Sequence, residues 1–254
     1  MLEESGCNVV SLGIFSWSTL EPEEGIYDFE WLDRAVALAG KYGLKVIMCT
    51  PSPTPPVWLS KKYPDILIRR DNGVNIQHGR RQHASWSSER YCDFVKNIVT
   101  KLAERYGKNP TVIGWQIDNE PGHYGLVDYS ENAQQKFRLW LRRKYKTIDQ
   151  LNATWGNTFW SESYQHFDQI RLPNQQELPE KPNPHAMLDM NRFMADELAG
   201  FVNMQADVLH KNISEKQWIT TNLIPVFNPV DPVRMDHLDF TTYTRYLVTG
   251  HKMG

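Results

Sequence analysis

The sequence lacks long hydrophobic runs and any marked excess of charge. Its 28 Lys and Arg residues nearly balance 30 Asp and Glu residues, so the net charge of -2 supplies no field that would attract nucleic acid or anionic lipid. No apolar stretch reaches the roughly 20 residues that cross a bilayer, and the N-terminal residues do not resemble a secretory signal. These absences argue against nucleic-acid and membrane partners and predict a cytoplasmic protein.

Cysteine is also scarce, and its spacing excludes two common uses. Cys7, Cys49 and Cys92 are odd in number and far apart, and the sequence has no C-x-x-C pair. This pattern is neither that of a zinc cluster nor that of a disulfide framework, so we expect buried free thiols in a reducing compartment.

Strand-like runs alternate with helical patterns along the chain. Short apolar runs predict strands at 8–15, 44–50, 112–117, 218–223 and 239–243. Apolar stripes at helical spacing predict helices at about 29–42, 91–106, 130–145 and 187–211. Ser87 or Ser88 is the expected N-cap of the second helix. The segment 152–184 has little periodicity and is predicted to be an ordered surface excursion.

This alternation predicts an α/β fold. A glycine-rich phosphate loop is missing after the first strand, which favours a TIM (β/α)8 barrel over a doubly wound sheet. Fewer strands are visible than a closed barrel needs, so we predict one incomplete barrel domain over residues 1–254, with about strands two to six present. An open barrel also exposes strand edges. For the function of the chain alone, an inactive or carbohydrate-binding fragment is therefore the alternative to an enzyme.

Polar residues follow the third predicted strand in the run Trp115–Gly122, which reads WQIDNEPG. The active site of such a barrel lies at the carboxyl ends of its strands, so we expect Asn119 and Glu120 on the rim of a cleft. A carboxyl group buried among Trp rings favours its protonated form and suits a proton donor to a glycosidic oxygen. The adjacent amide suits a sugar hydroxyl. The alternative is a polar turn without a function, and these residues alone do not decide between the two.

Aromatic residues are abundant, at 12% of the sequence with 9 Trp. Such side chains either fill a core or form platforms on which sugar rings stack. Trp17, Trp58 and Trp115 lie in or shortly after predicted strands and are candidates for lining the cleft, with barrel packing as the alternative.

Together with other stretches, the run at Glu120 resembles glycoside hydrolase family 42, the bacterial β-galactosidases. The similarity is carried by the stretches 15–29, 54–59 with 63–64, 115–122, 167–174 and 189–193. The resemblance implies a retaining enzyme that hydrolyses terminal β-D-galactosides, uses no cofactor and, as in many members, assembles as a homotrimer. A glycosidase of the same clan that acts on another β-linked sugar is the alternative.

Carried over residue by residue, the resemblance also assigns roles within the site. It implies that Glu120 is the proton donor and later the general base, and that Asn119 binds galactose. Arg81, in preference to Arg80, aligns with the substrate-binding arginine of the family. A plain charge on the rim of the barrel is the alternative for this arginine.

The chain departs from the family pattern in two ways. Many members carry a zinc-binding cysteine cluster, whereas His83 and His123 remain here without a ligand set, so we predict no structural zinc. The nucleophilic Glu of the family lies at the end of strand seven, which places it beyond Gly254, and the chain alone is therefore expected to be inactive. Several other glutamates match no family position and are not assigned as the nucleophile: Glu162, Glu177, Glu180, Glu197 and Glu215.

Overall fold

A computed structural model describes residues 5–122, 125–224 and 230–244, in which strands and helices alternate as the sequence predicts. The strands are β1 (Val9–Leu12), β2 (Lys45–Cys49), β3 (Val112–Gln116), β4 (Trp218–Thr220), β5 (Asn222–Leu223) and β6 (Thr242–Tyr243). The helices are α1 (Trp17–Leu20), α2 (Glu30–Lys41), α3 (Val57–Lys62), α4 (Glu89–Tyr106), α5 (Glu131–Tyr145), α6 (Ile148–Trp155) and α7 (Pro184–Asn212).

The strands pair in parallel and in the order of the sequence. β1 to β4 form one sheet in the order β1-β2-β3-β4, with Met48 opposite Trp115 and Trp115 opposite Ile219. β5 follows β4 after an interruption at Thr221 and pairs in parallel with β6. A parallel order that does not reverse is that of a (β/α)8 barrel, whereas a doubly wound sheet reverses at a switch point. The predicted fold class is therefore confirmed.

Helix α4 shows how the sequence sets one wall of the barrel. The Ser88 side chain accepts a hydrogen bond from the backbone N–H of Tyr91, so Ser88 is the N-cap. The buried residues of α4 recur at helical spacing and face the core: Tyr91, Val95, Ile98, Val99, Leu102, Ala103 and Tyr106. This apolar face packs against the sheet and against α7.

Buried side chains form two apolar clusters. The larger lies between the sheet and helices α2, α4 and the C-terminal half of α7. The smaller joins α5, α6 and the N-terminal half of α7, and it receives Phe167, Ile170 and Leu172 from the excursion. The 29-residue helix α7 thus belongs to both clusters. The excursion is ordered by these buried anchors, as the sequence predicts.

Several boundaries and one burial prediction need correction. Helices α1 and α3 contain only 4 and 6 residues, too few for a helical period to be visible, and α6 overlaps the predicted excursion. Helix α7 begins at Pro184 instead of Met187, since proline is tolerated in a first turn and the Asn183 side chain caps it. Cys49 is buried, but Cys7 is exposed, because it precedes β1, a strand that pairs on one side only among the described residues.

Gly114 in β3 allows the Trp218 ring of β4 to lie against the backbone. A Cβ atom at position 114 would stand 2.3 Å from Cδ2 of Trp218. We predict that Gly114→Ala lowers the free energy of unfolding by about 1–3 kcal/mol, because the ring or the strand must shift. Chemical denaturation of the purified protein measures this change.

Gly200 in α7 provides the matched control for this substitution. It is exposed, and no atom lies within 4 Å of a Cβ built there. Gly200→Ala is expected to raise the free energy of unfolding by about 0.5–1 kcal/mol, because alanine favours the helix. Equal effects of the two substitutions would contradict the close approach of Trp218 to β3.

Candidate active site

The carboxyl end of β3 leads into a buried turn, Asp118–Asn119–Glu120, here called the β3 turn. Asp118 and Glu120 have φ angles of 55° and 49°, in the left-handed region that non-glycine residues rarely adopt. The exposed fractions of Asp118, Asn119 and Glu120 are 2%, 9% and 2%. Strain of this kind persists only where the surrounding structure holds it.

Side chains from the two neighbouring strand ends bind the N–H groups of the β3 turn. The backbone N–H of Asp118 donates to Oγ1 of Thr50, which follows β2, at 2.8 Å. The backbone N–H of Glu120 donates to Oδ1 of Asn222, in β5, at 3.1 Å. The β3 turn is therefore held from both sides along the rim of the barrel.

Gln82 holds the carbonyl groups of the same turn. Its Nε2 donates to the carbonyl oxygens of Asn119 and Glu120 at 2.9 and 2.7 Å. Gln82 itself has a φ of 58°, and its backbone N–H donates to the carbonyl of Pro53 at 2.7 Å. One buried amide thus connects the loop before α4 to the β3 turn.

Arg81 and Glu120 form an ion pair in the site. Nη1 of Arg81 lies 2.9 Å from Oε2 of Glu120, and the two side chains are 21% and 2% exposed. Arg80 is exposed, so the structure brings Arg81 and not Arg80 to the carboxylate. The site unites all three residues that the sequence singles out, since Asn119 lies beside them in the β3 turn.

The tryptophan candidates are packing residues. Trp17 and Trp115 are fully buried, and their indole N–H groups donate to the side chains of Glu21 and Gln217. Trp58 donates to the carbonyl of Glu21 and packs edge-on against a neighbouring phenyl ring. On sequence grounds the Glu120 carboxyl group is expected among Trp rings. The structure instead shows the guanidinium of Arg81 beside it.

Two open cavities border Arg81. One, of about 540 Å³, is lined by residues that include Phe15, Thr54, Pro55, Val57 and His78. The other, of about 650 Å³, is lined by residues that include Arg70, Ile76, Leu126, Val127 and Tyr129. Both volumes lie within the range of ligand pockets, and Arg81 is the residue of the three that lines both cavities.

His83 is a structural residue. Its Nε2 lies 3.0 Å from Oγ of Ser60, and its Nδ1 lies 3.2 Å from the carbonyl oxygen of Arg80. Burial lowers the pKa of His83 to about 4, so the ring is neutral near pH 7. His123 lies outside the described residues, and within those residues no group of three or more His, Cys, Asp or Glu side chains could hold a metal ion.

The glutamates without a family match do not stand at the carboxyl end of a strand within the described part of the chain. Glu197 lies on α7 and pairs with Lys136 at 3.2 Å. Glu215 lies in the turn before β4, at the opposite end of the barrel. The other three, Glu162, Glu177 and Glu180, belong to the excursion.

No described helix is long and apolar enough to cross a membrane.

Several residues that build the site receive no individual role in the predictions made on sequence. Thr50 and Ser52 directly follow β2, and Asn222 begins β5. Their common signal is a polar residue at a strand end, which marks the rim of the barrel but not the partner of each side chain. Gln82 lies in a loop and carries no such signal.

Asp118 titrates in a range that makes its burial measurable. Its Oδ2 accepts a hydrogen bond from Ser52 at 2.6 Å, and its Oδ1 accepts one from the Asn119 N–H at 2.7 Å. Burial raises the pKa of Asp118 from 3.8 to about 6, against these hydrogen bonds and the positive charge of Arg81. A folded-state pKa above the unfolded one gives stability that is present below about pH 4 and is lost as the pH rises through about 6.

We therefore predict that Asp118→Asn removes this pH dependence. The free energy of unfolding of the unmodified protein, minus that of the variant, should fall by up to about 3 kcal/mol between about pH 4 and pH 7. Asparagine retains the shape of the side chain and an acceptor for the Asn119 N–H. Denaturant titrations across this pH range measure the difference, and parallel stability curves would contradict the assignment.

Comparison with known proteins identifies the family. The glycoside hydrolase family 42 model, described as β-galactosidase, matches residues 1–253. The β-galactosidase BgaA of a Thermus species is 39% identical over an alignment of 247 positions that covers 96% of this chain and 38% of that protein. The β-galactosidase BglY of Alicyclobacillus acidocaldarius is 39% identical over an alignment of 254 positions that covers 97% of this chain and 35% of that protein.

Solved structures agree with the sequence comparison. The crystal structure of a β-galactosidase from the psychrophilic Marinomonas ef1 has a TM-score of 0.92 and 38% identity, and the match covers 96% of this chain and 37% of that chain. The chain therefore spans 38% or less of the length of these three relatives. Its parallel strands are part of a (β/α)8 barrel, and the chain belongs to glycoside hydrolase family 42.

Proposed function

We propose that this chain supplies the acid/base part of a retaining β-galactosidase, which releases terminal non-reducing β-D-galactose from β-D-galactosides. The observation that carries the proposal is the buried Glu120 carboxyl group, which lies at the carboxyl end of a barrel strand and contacts Arg81 at 2.9 Å. Membership of family 42 and relatives named as β-galactosidases support it. The same reasoning assigns one catalytic domain to residues 1–254.

In this proposal Glu120 acts twice. In the first step a nucleophilic carboxylate attacks the anomeric carbon of galactose, and Glu120 transfers its proton to the departing glycosidic oxygen. In the second step Glu120 takes a proton from water, whose oxygen attacks the same carbon, breaks its bond to the nucleophilic carboxylate and releases galactose with retained configuration. The nucleophile in this proposal is a second carboxylate about 5–5.5 Å from the Glu120 carboxyl group.

Arg81 and Asn119 bind the sugar in this scheme. The guanidinium of Arg81 has several N–H donors in a fixed plane, so it can hold Glu120 and a sugar hydroxyl together. The amide of Asn119 is proposed to contact the 2-hydroxyl, a contact that strengthens as positive charge develops on the sugar ring. A homotrimeric assembly and a cytoplasmic location stay predictions.

The proposal is tested by assaying the complete gene product on aryl β-galactoside and aryl β-glucoside. We predict faster hydrolysis of the galactoside, and a loss of about 10²–10⁴-fold in kcat/KM on Glu120→Gln, because glutamine can neither donate nor accept the proton. Glu180→Gln is the matched control, since Glu180 is exposed on the excursion, and it should leave the rate unchanged.

The two arms of this experiment fail separately. A strong preference for the glucoside would contradict the substrate and favour another glycosidase of the clan. Full activity after Glu120→Gln would contradict the role of the carboxyl group, whichever sugar is preferred. Loss of activity in the Glu180 variant would contradict its placement away from the reaction.

A further inference from the structure

We infer that Asn222 is a positioning residue that fixes which end of the Asn119 amide faces the substrate. This inference rests on the proposed sugar contact of Asn119. Asn222 begins β5, immediately beyond the Thr221 interruption, and lies on the opposite side of the β3 turn from Thr50. Neither the family resemblance nor the sequence pattern assigns it a role.

Asn222 uses its whole side-chain amide inside the protein. Its Oδ1 accepts hydrogen bonds from the Glu120 N–H and from Nε2 of Gln116, both at 3.1 Å. Its Nδ2 donates to Oδ1 of Asn119 at 3.2 Å and to Oγ1 of Thr244 at 2.9 Å. Two donor and two acceptor positions exhaust the capacity of an amide.

These contacts determine first the orientation of the Asn222 amide and then that of the Asn119 amide. A backbone N–H can only donate, so the atom of Asn222 that faces Glu120 must be its oxygen. The nitrogen of Asn222 therefore faces Asn119, and since this nitrogen also only donates, Asn119 must offer its oxygen. Amide orientations are usually ambiguous, but here the backbone of Glu120 removes the ambiguity.

The consequence is that Asn119 presents N–H donors to the ligand. Its oxygen is bonded to Asn222, and within the described residues its Nδ2 has no hydrogen-bond partner. With an exposed fraction of 9%, Asn119 can still reach a molecule in the cleft. The sugar hydroxyl that it contacts must accordingly accept a hydrogen bond.

The backbone around Asn222 is fixed by the strand ladder. Asn222 lies opposite Thr242 in the β5–β6 pair, and the Thr242 N–H donates to the carbonyl of Thr221 at 3.0 Å. A side chain on a paired strand orients its partner more precisely than one on a loop. The β5–β6 pairing thus fixes the position of Asn222, and Asn222 in turn orients the amide that contacts the sugar.

Asn222→Asp isolates this role because it preserves the shape of the residue. The aspartate still accepts from the Glu120 N–H and from Gln116, but it offers an acceptor where asparagine offers a donor. The Asn119 amide must then turn over and direct its oxygen into the cleft. A purely structural Asn222 predicts no dependence on the Asn119 side chain.

The experiment is a double-mutant cycle on aryl β-galactoside hydrolysis by the complete gene product. It compares kcat/KM of the unmodified protein, Asn222→Asp, Asn119→Ala and the double variant, which cancels any effect of the new charge on Glu120. We expect Asn222→Asp to lower kcat/KM by a factor that is at least ~10-fold larger when residue 119 is asparagine than when it is alanine. The same excess should shrink on a 2-deoxygalactoside, which lacks the contacted hydroxyl.

Asn119→Asp provides a second variant that leaves Asn222 intact. Its carboxylate still accepts from Nδ2 of Asn222 but cannot donate to a sugar, so it should lose as much kcat/KM as Asn119→Ala. Near-normal activity of Asn119→Asp would overturn the inference, even if Asn222→Asp does not fold. Equal costs of Asn222→Asp in both backgrounds, with Asn119→Ala itself costly, would overturn the inference and leave the proposed function standing. A silent Asn119→Ala would overturn the sugar contact together with the inference.

Discussion

The β3 turn is the constraint on which the rest of the site depends. Two of its three residues, Asp118 and Glu120, are non-glycine residues in the left-handed region, which costs on the order of 1–3 kcal/mol each. A buried N–H or carbonyl group left without a partner costs about as much again. The turn is stable because side chains bind its backbone groups, and those same bonds place the Glu120 carboxyl group and the Asn119 amide at the rim.

The barrel makes this arrangement available. Parallel strands in sequence order bring the carboxyl ends of β2, β3 and β5 to one rim, so Thr50 and Asn222 flank the β3 turn although they are far apart in sequence. The sheet is in turn held by the apolar faces of α2, α4 and α7. The geometry of the site on the rim thus depends on packing that lies well below it.

Much of the fold could be predicted from the hydrophobic pattern, because the long helices repeat with a clear period and the strands lie in short apolar runs. The short helices α1, α3 and α6 could not, since a few residues do not establish a period. Within the site, Glu120, Asn119 and Arg81 were accessible through family motifs. Gln82 and Asn222 were not, because a polar residue in a loop or at a strand end does not reveal which backbone group it will bind.

For the tryptophans, the sequence allows two roles and does not decide between them. Trp17 and Trp115 suited either sugar stacking or packing on sequence grounds, and the choice depended on whether a buried partner existed for each indole N–H. Glu21 and Gln217 supply those partners, and both rings are fully buried. Such pairings follow from tertiary structure, which local sequence does not specify.

The function proposed for this chain requires the β3 turn to hold the proton donor and a sugar-binding amide in one ligand site. A crystal structure of the complete gene product with bound galactose tests this requirement. We predict that the sugar lies over the β3 turn, with a hydroxyl within hydrogen-bond distance of Nδ2 of Asn119 and the Glu120 carboxyl group beside the anomeric oxygen. Galactose bound at a site that contacts neither Asn119 nor Glu120 would contradict it.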